Sequence, residues 1–317
     1  MEALAIVLDR PECLSVNRVV LTPPGAADVV VDVAFSGIST GTERLLWQGK
    51  MPPFPGMGYP LVPGYESVGR IVAAGSANQA RIGQTVFVPG ANCFGEIRGL
   101  FGGAASRLVV PASRAVPINP ELRERGILIA LAATAQHAIA GQNALTGGEL
   151  PGLIVGHGVV GRLLAHLVIA AGGPPPTVWE TNPVRRNGAS GYQVLHPDDD
   201  PRRDYRCICD ASGDPALLDT LISRIAPGGE IILAGFYAER LSFAFPMAFM
   251  REARLRVAAQ WQPSDLATVC RLIDDGGLSL DDLITHRTEA TDADAAYRTA
   301  FGDPACLKMI IDWRASA

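Results

Sequence analysis

Leu153-Ile154-Val155-Gly156-His157-Gly158-Val159-Val160-Gly161 is the stretch that decides how this chain of 317 residues folds. A short apolar run meets the pattern G-x-G-x-x-G. Val159, Val160, Leu163, Leu164, Leu167, Val168 and Ala171 then recur at near 3.6-residue spacing. That order predicts a buried strand, a tight glycine turn and an amphipathic helix. A second apolar run, Thr177-Val178-Trp179, ends in Glu180, 19 residues beyond Gly161. In a chain with 34 glycines the glycine pattern alone says little. With strand, helix and acid in place it describes a dinucleotide site. Gly156 permits the turn, Gly158 lets the backbone approach a pyrophosphate, and Gly161 lets helix and strand pack closely. Val159 and Val160 belong to the first helical turn, whose N–H groups would face the phosphates. Glu180 would accept a hydrogen bond from the adenosine ribose, which favours NAD; Arg185 and Arg186 would hold a 2′-phosphate if Glu180 turned away. His157 is expected either at the phosphates or facing solvent, and His166, opposite the apolar stripe, is expected to be solvated.

On the C-terminal side of this unit come Cys207-Ile208-Cys209-Asp210 and Glu230-Ile231-Ile232-Leu233-Ala234-Gly235. Apolar strands alternating with helical segments predict βαβ units and a parallel sheet. Cys207 and Cys209 point to one face of their strand and read as buried packing. On the N-terminal side, Arg123 to Leu145 is rich in Ala, Leu and Ile without proline and predicts a helix. Before it lie short strands between Gly/Pro turns. Val29, Val31, Val33 and Phe35 alternate with Val30, Asp32 and Ala34, and further strands are expected at Ser67–Val72 and Thr85–Val88. Such a series predicts a small barrel-like β domain. The last residues, Lys308 to Trp313, read as one more strand. The fold class is therefore α/β, a Rossmann-type parallel sheet beside a β barrel.

Composition excludes several functions. Hydrophobic residues make up 48%, and 27 basic against 32 acidic residues give a net charge of −5. That balance argues against a nucleic-acid partner and against disorder. Leu153 to Gly173 is interrupted by His157, Arg162 and His166, so no transmembrane segment is expected. The N-terminal MEALAIVLDR lacks the basic start of a signal peptide. Six cysteines without repeated spacing form no disulfide framework. These features predict a soluble, cytoplasmic protein, with attachment at the periphery of a membrane left open.

Ser36-Gly37-Ile38-Ser39, Pro63-Gly64-Tyr65-Glu66-Ser67-Val68-Gly69, Gly83-Gln84-Thr85-Val86 and the glycine fingerprint together make the chain resemble the medium-chain dehydrogenase/reductase superfamily over nearly its whole length. The resemblance implies a GroES-like catalytic domain formed by residues 1–123 and 262–317 and a Rossmann domain at 124–261. It also implies Thr134 beside the nicotinamide, Arg185 near the adenosine ribose, Lys308 at the cofactor phosphates, and a homodimer through the nucleotide-domain sheet. Zinc members of the superfamily have Cys where Ser39 stands and His where Tyr65 stands, and their third ligand falls near Ala130. The lobe from Pro89 to Gly103 holds Cys93 alone. A catalytic Zn²⁺ needs three N, S or O ligands and one open position, so the expectation is no metal; scattered Glu66, Cys93 and His137 are the alternative ligands. Without a Lewis acid, the hydroxyl proton must leave through hydrogen-bonding groups, and the candidates are Ser39, Thr42, Glu43, Tyr65 and Glu66. Glu66 could equally hold backbone from behind the site, and Tyr65 could be packing.

Within the superfamily, Ser36 to Glu43 and Gly64 to Gly69 resemble the zinc-free bacteriochlorophyllide a dehydrogenase family. That implies NAD-dependent oxidation of the 3-(1-hydroxyethyl) group of a bacteriochlorophyllide or related chlorin to 3-acetyl, at the photosynthetic membrane or in the cytoplasm. Trp47 to Tyr59 would offer aromatic and Met surface to the planar pigment, or simply cover the core. Lys50 or Arg44 would pair with its propionate. The other readings are an NADPH-dependent quinone or enoyl reductase, and a pigment- or nucleotide-binding carrier without chemistry.

Overall fold

Runs of β-branched residues cut by Gly and Pro cannot sustain helix, and in the computed structural model they form strands. Residues 1–53, 55–140 and 149–316 are described. The chain divides into two compact units, Met1–Ala130 with Leu283–Ala317, and Leu131–Asp282.

The first unit is organised by the strand Asp28–Ile38. One edge pairs antiparallel with Ser67–Ala74; the other meets Arg107–Pro111 and, further along, the C-terminal strand Met309–Asp312. Sheet neighbours His286–Glu289, Thr85–Val88 and Val116–Pro117 complete this layer. A four-stranded sheet of Cys13–Val20, Glu2–Arg10, Leu61–Val62 and Arg98–Gly99 forms the second layer. Ile6, Val29, Val31, Val86, Leu108 and Trp313 lie in the core they enclose. Along Asp28–Ile38 the expected alternation holds only in part. Val30 is as buried as Val29 and Val31, because register shifts at Val30/Val31 and Val33/Phe35 bend the strand and break its two-residue period.

The predicted helix from Arg123 to Leu145 is corrected. Pro120–Leu128 is a 3₁₀ run, started by the Asn119 side chain accepting from the Glu121 amide and interrupted at Arg123 (φ 49°). The α-helix spans Ile129–Ala140, and its expected continuation to Leu145 falls outside the described residues. The change of unit comes at Ala130/Leu131 rather than after residue 123, because the 3₁₀ run packs on the strands Asp28–Ile38 and Ser67–Ala74. The return comes at Asp282/Leu283 rather than after 261. The helix Pro263–Asp274 stays with the second unit, where Asp265 meets His137 Nδ1 at 2.8 Å.

In the second unit six parallel strands lie in the order Gln193–Leu195, Thr177–Trp179, Leu153–Val155, Tyr205–Asp210, Ile225–Leu233, Arg254–Val257. Leu153, Ile154 and Val155 are all buried, the mark of a central parallel strand covered on both faces. The strand order reverses between Leu153–Val155 and Tyr205–Asp210, which opens a crevice at their carboxyl ends, the place where such sheets bind ligands. Among the described residues no helix is long and apolar enough to cross a membrane.

Candidate functional site

The second unit carries the glycine turn at that crevice. Gly156 adopts φ +95°, which only glycine takes without strain. A Cβ on Gly161 would lie 1.8 Å from the Gly156 carbonyl, so the helix Val159–Ala170 can start this close to its strand only with glycine there. A Cβ on Gly158 would meet nothing within 4 Å. The loop is thus tight on the protein side and open where a pyrophosphate would lie, and these residues fit a dinucleotide. Glu180 stands beside it, with Oε2 accepting from the His157 amide (3.1 Å) and Oε1 from the Asn182 amide (2.8 Å). Arg186 turns back on its own loop, its Nε donating to the Glu180 carbonyl (3.0 Å). Val159 is buried and Val160 half-buried at the helix start, and Thr134 is half-buried on Ile129–Ala140.

His157 is neither at solvent nor spare for phosphate. Its side chain is fully buried, with Nδ1 2.6 Å from the Arg185 carbonyl and Nε2 2.8 Å from the Tyr192 hydroxyl. His166 is half-buried, its ring 5.7 Å from that of Tyr192, rather than solvated. Burial lowers the pKa of both imidazoles, with Arg162 adding to the effect. Asp210 at the end of its strand escaped the sequence reading. It is buried and accepts from the Ser212 amide and hydroxyl (2.9 and 2.6 Å) and the Tyr237 hydroxyl (2.7 Å). Cys207 and Cys209 are buried, and desolvation raises the Cys207 thiol to about 12, so packing describes them.

The first unit carries a cluster of its own, where three chain segments meet. Ser36 pairs with Ser67 and Ile38 with Met309, so Ser39, Tyr65, Glu66 and Lys308 all sit at neighbouring strand ends. Ser39 Oγ and the Tyr65 hydroxyl are 2.5 Å apart, and the Thr42 side chain also hydrogen-bonds the phenol. Burial, then Glu66, pushes the Tyr65 phenol well up, so it stays protonated. Its ring stands edge-on to Phe101 at 5.6 Å.

Behind this pair lies a buried charge cluster. Glu66 is fully buried and forms a contact ion pair with Lys308 Nζ through Oε2, while Oε1 meets no donor among the described residues. Lys308 Nζ also donates to the Ile38 carbonyl at 3.0 Å. The expectation that Lys308 reaches cofactor phosphates is corrected: its ammonium is 1% exposed and already engaged. Gly37 makes room for the pair, since a Cβ there would lie 2.2 Å from Glu66 Oε2 and 2.9 Å from Lys308 Cε. Glu43, also buried, accepts from the Ser39 amide (3.1 Å) and from the hydroxyl of Tyr297 (2.9 Å), a residue that no local pattern marks.

Burial, with Glu66 second, raises Glu43 from 4.5 to about 8 against the opposing Ser39 amide, Lys308 and Tyr297. The folded state binds this proton more tightly than the unfolded chain does, so the sign is set. The carboxyl's contribution to stability is present in full below pH 4.5 and is lost as pH rises through about 8. Glu43→Gln should flatten that decline, as read by thermal melts between pH 5 and 9.

The stretch Trp47 to Tyr59 mostly covers core instead of offering an open pigment surface. Trp47 packs 5.6 Å from Phe301, Met51 is buried with Leu8, Leu46, Leu61 and Leu100, and the Tyr59 hydroxyl donates to the Leu46 carbonyl. Phe54 lies outside the described residues. Arg44 and Lys50 are exposed. For zinc the residues do not fit: the hydroxyls of Ser39 and Tyr65 bond each other, and Ala130 offers a methyl group. No group of three or more His, Cys, Asp or Glu among the described residues could hold a metal ion, so Glu66, Cys93 and His137 form no such site.

Comparison with known proteins gives this geometry its context. Residues 25–120 match the alcohol dehydrogenase GroES-like domain. The chain is 59% identical over 315 residues, 99% of both sequences, to the 2-desacetyl-2-hydroxyethyl bacteriochlorophyllide A dehydrogenase of Rhodobacter capsulatus. The chain belongs to that dehydrogenase family. With it, the chain belongs to the medium-chain dehydrogenase/reductase superfamily. A relative of the same name from Cereibacter sphaeroides is 58% identical over the full length of both chains. Among solved structures, the Escherichia coli CFT073 protein described as a short chain alcohol dehydrogenase (rspB), complexed with NADH, superposes with a TM-score of 0.82 at 21% identity, covering 98% of this chain and 99% of that one. That likeness supports the two-part α/β fold, with a GroES-like barrel and a Rossmann-type sheet.

Proposed function

We propose that this protein oxidises the 1-hydroxyethyl substituent of a bacteriochlorophyllide to acetyl, with NAD and without zinc. The observation that carries the reading is end-to-end identity near 59% with a dehydrogenase named for that pigment. When bound at the glycine turn, the nicotinamide would accept hydride from the carbinol carbon. Glu180, with both oxygens held at the base of that turn, favours a free ribose 2′-hydroxyl over a phosphate. The remaining work falls to this chain's hydroxyls. Tyr65 receives the substrate hydroxyl proton while passing its own to Ser39 or Thr42, and the half-buried Thr42 hydroxyl releases a proton to water, so no phenolate has to form in a site that strongly disfavours one. The chlorin ring, conjugated to the carbinol carbon, spreads the positive charge that develops as hydride leaves, which lessens the need for a Lewis acid. Glu43, Glu66 and Lys308, buried behind the hydroxyl pair, keep it in place, with Glu43 holding the Ser39 amide.

Incubation of the purified chain with NAD and a hydroxyethyl bacteriochlorophyllide should shift the long-wavelength pigment band and yield NADH in equal amount, unaffected by chelators. Turnover of quinones or enones with NADPH and none of the pigment would replace this reading with a reductase. Pigment binding without hydride transfer would make the chain a carrier.

We also propose that the chain is a homodimer through the edge strand Arg254–Val257. Val257 is 72% exposed, Leu255 40%, and nearby Phe245, Phe249 and Met250 exceed 60%. As the outermost described strand of its sheet, beside so much apolar surface, Arg254–Val257 seeks cover. Val257→Lys should halve the mass seen by light scattering. Six cysteines, all thiols, fit a reducing cytoplasmic setting.

A further inference from the structure

Arg162 is 8% exposed, and its guanidinium hydrogen-bonds go to backbone carbonyls. Nε donates to His157 (3.2 Å), Nη1 to Gly188 (3.0 Å), and Nη2 to Asn187 (2.7 Å) and Arg185 (3.2 Å). A buried cation is expensive unless its donors are matched, so this fork specifies one conformation of the loop that follows Glu180. Gly188 is part of the fit: at φ +83°, a Cβ there would lie 2.6 Å from Nη1. His157 clamps the same loop from the glycine turn. The Arg185 carbonyl can only accept, so His157 Nδ1 carries the proton, and Nε2 must accept from the Tyr192 hydroxyl. His166 closes the far side of the Tyr192 ring. The middle of the loop, Arg185 to Gly188, and its end at Tyr192 are thereby tied to the glycine turn and to the helix Val159–Ala170. Just ahead of the loop, Glu180 is drawn onto the His157 amide.

We propose that His157, Arg162 and Tyr192 are positioning residues for the adenosine end of the dinucleotide. They hold the loop from Thr181 to Tyr192 so that Glu180 is presented before the cofactor arrives. Preorganisation of this kind removes an ordering cost from binding and leaves the chemical step untouched. The inference rests on the reading that the glycine turn binds a dinucleotide.

The test measures the dissociation constants of NADH and of reduced nicotinamide mononucleotide, which lacks the adenosine half, by nicotinamide fluorescence. His157→Leu should weaken NADH about tenfold and leave the mononucleotide unchanged, with KM for NAD raised and kcat retained. His157→Asn keeps an N–H for the Arg185 carbonyl and should recover much of the loss. Tyr192→Phe removes a single oxygen and should weaken NADH about threefold; it carries the test should His157→Leu fail to fold. Unchanged NADH affinity in these variants overturns the proposal, and so does equal weakening of both ligands. A wild-type chain that binds neither NADH nor NADPH overturns the dinucleotide reading itself, and the clamp's role with it.

Discussion

Lys308→Met should destabilise the protein by about 3–5 kcal/mol, among the largest effects of any single substitution in this chain. The reason is the carboxylate it leaves behind. Glu66 is fully buried, Lys308 is its ion-pair partner, and Oε1 already goes without a donor. Removing the ammonium forces Glu66 either to remain as an uncompensated buried charge or to take up a proton. Desolvation already raises its pKa, with Lys308 the largest opposing influence. The penalty should therefore shrink as pH falls, because a neutral Glu66 needs no counter-ion. Glu66→Gln combined with Lys308→Met should recover most of the lost stability, since both charges then leave together. Urea titrations of the two variants and the wild type at pH 5 and pH 8 read all of these effects. A loss in Lys308→Met that is equal at both pH values would mean the ion pair is not its cause.

Tyr65→Phe should lower kcat by about 10²–10⁴ while leaving the KM for NAD in place. Among the ionisable groups gathered at these strand ends, Tyr65 alone is only half-buried; Glu43, Glu66 and Lys308 are enclosed. Its hydroxyl is the point where a substrate hydroxyl can enter the chain of oxygens that continues to Ser39 and Thr42. Phenylalanine keeps the edge-on contact with Phe101 and removes the one atom in question. Ser39→Ala should cost less, since Thr42 remains as a second partner for the phenol. Steady-state assays with pigment, and NADH binding as a control, separate the proton path from cofactor affinity. A Tyr65→Phe protein with wild-type kcat would move the proton route elsewhere.

The parts of this molecule legible in the sequence are those whose cause is local. Gly156 and Gly161 announce themselves because a positive φ and a close packing contact each demand glycine within one short turn. The adjacent strand and helix follow from hydrophobic period. Glu180 was readable for the same reason, since one βαβ unit fixes its distance from the loop. The barrel unit is different. Tyr297 meets Glu43 across 254 residues, and Lys308 meets the Ile38 carbonyl across 270. No window of sequence carries such a signal. Lys308 and His157 show the resulting error: each has a side chain that could reach a phosphate, yet each is consumed by a partner that only the fold supplies. Arg162 was missed because it sits on an apolar helix with no carboxylate nearby in sequence, and its partners are carbonyls, which every residue has. The interruption at Arg123 has a similar origin. Composition favours helix throughout that stretch, but packing on the barrel strands selects a 3₁₀ run before the α-helix begins.

The barrel unit is assembled from two stretches far apart in sequence, Met1–Ala130 and Leu283–Ala317, whereas the unit with the parallel sheet is one continuous piece. On the ribosome, the continuous piece can close while the barrel still lacks the strand Met309–Asp312 and the lysine beside it. Glu66 is therefore translated some 240 residues before its counter-ion, and must wait hydrated until the stretch that carries Lys308 emerges. A stop codon ahead of Lys308 would strip the barrel unit of its central strand's neighbour and strand a carboxylate that has nowhere to go.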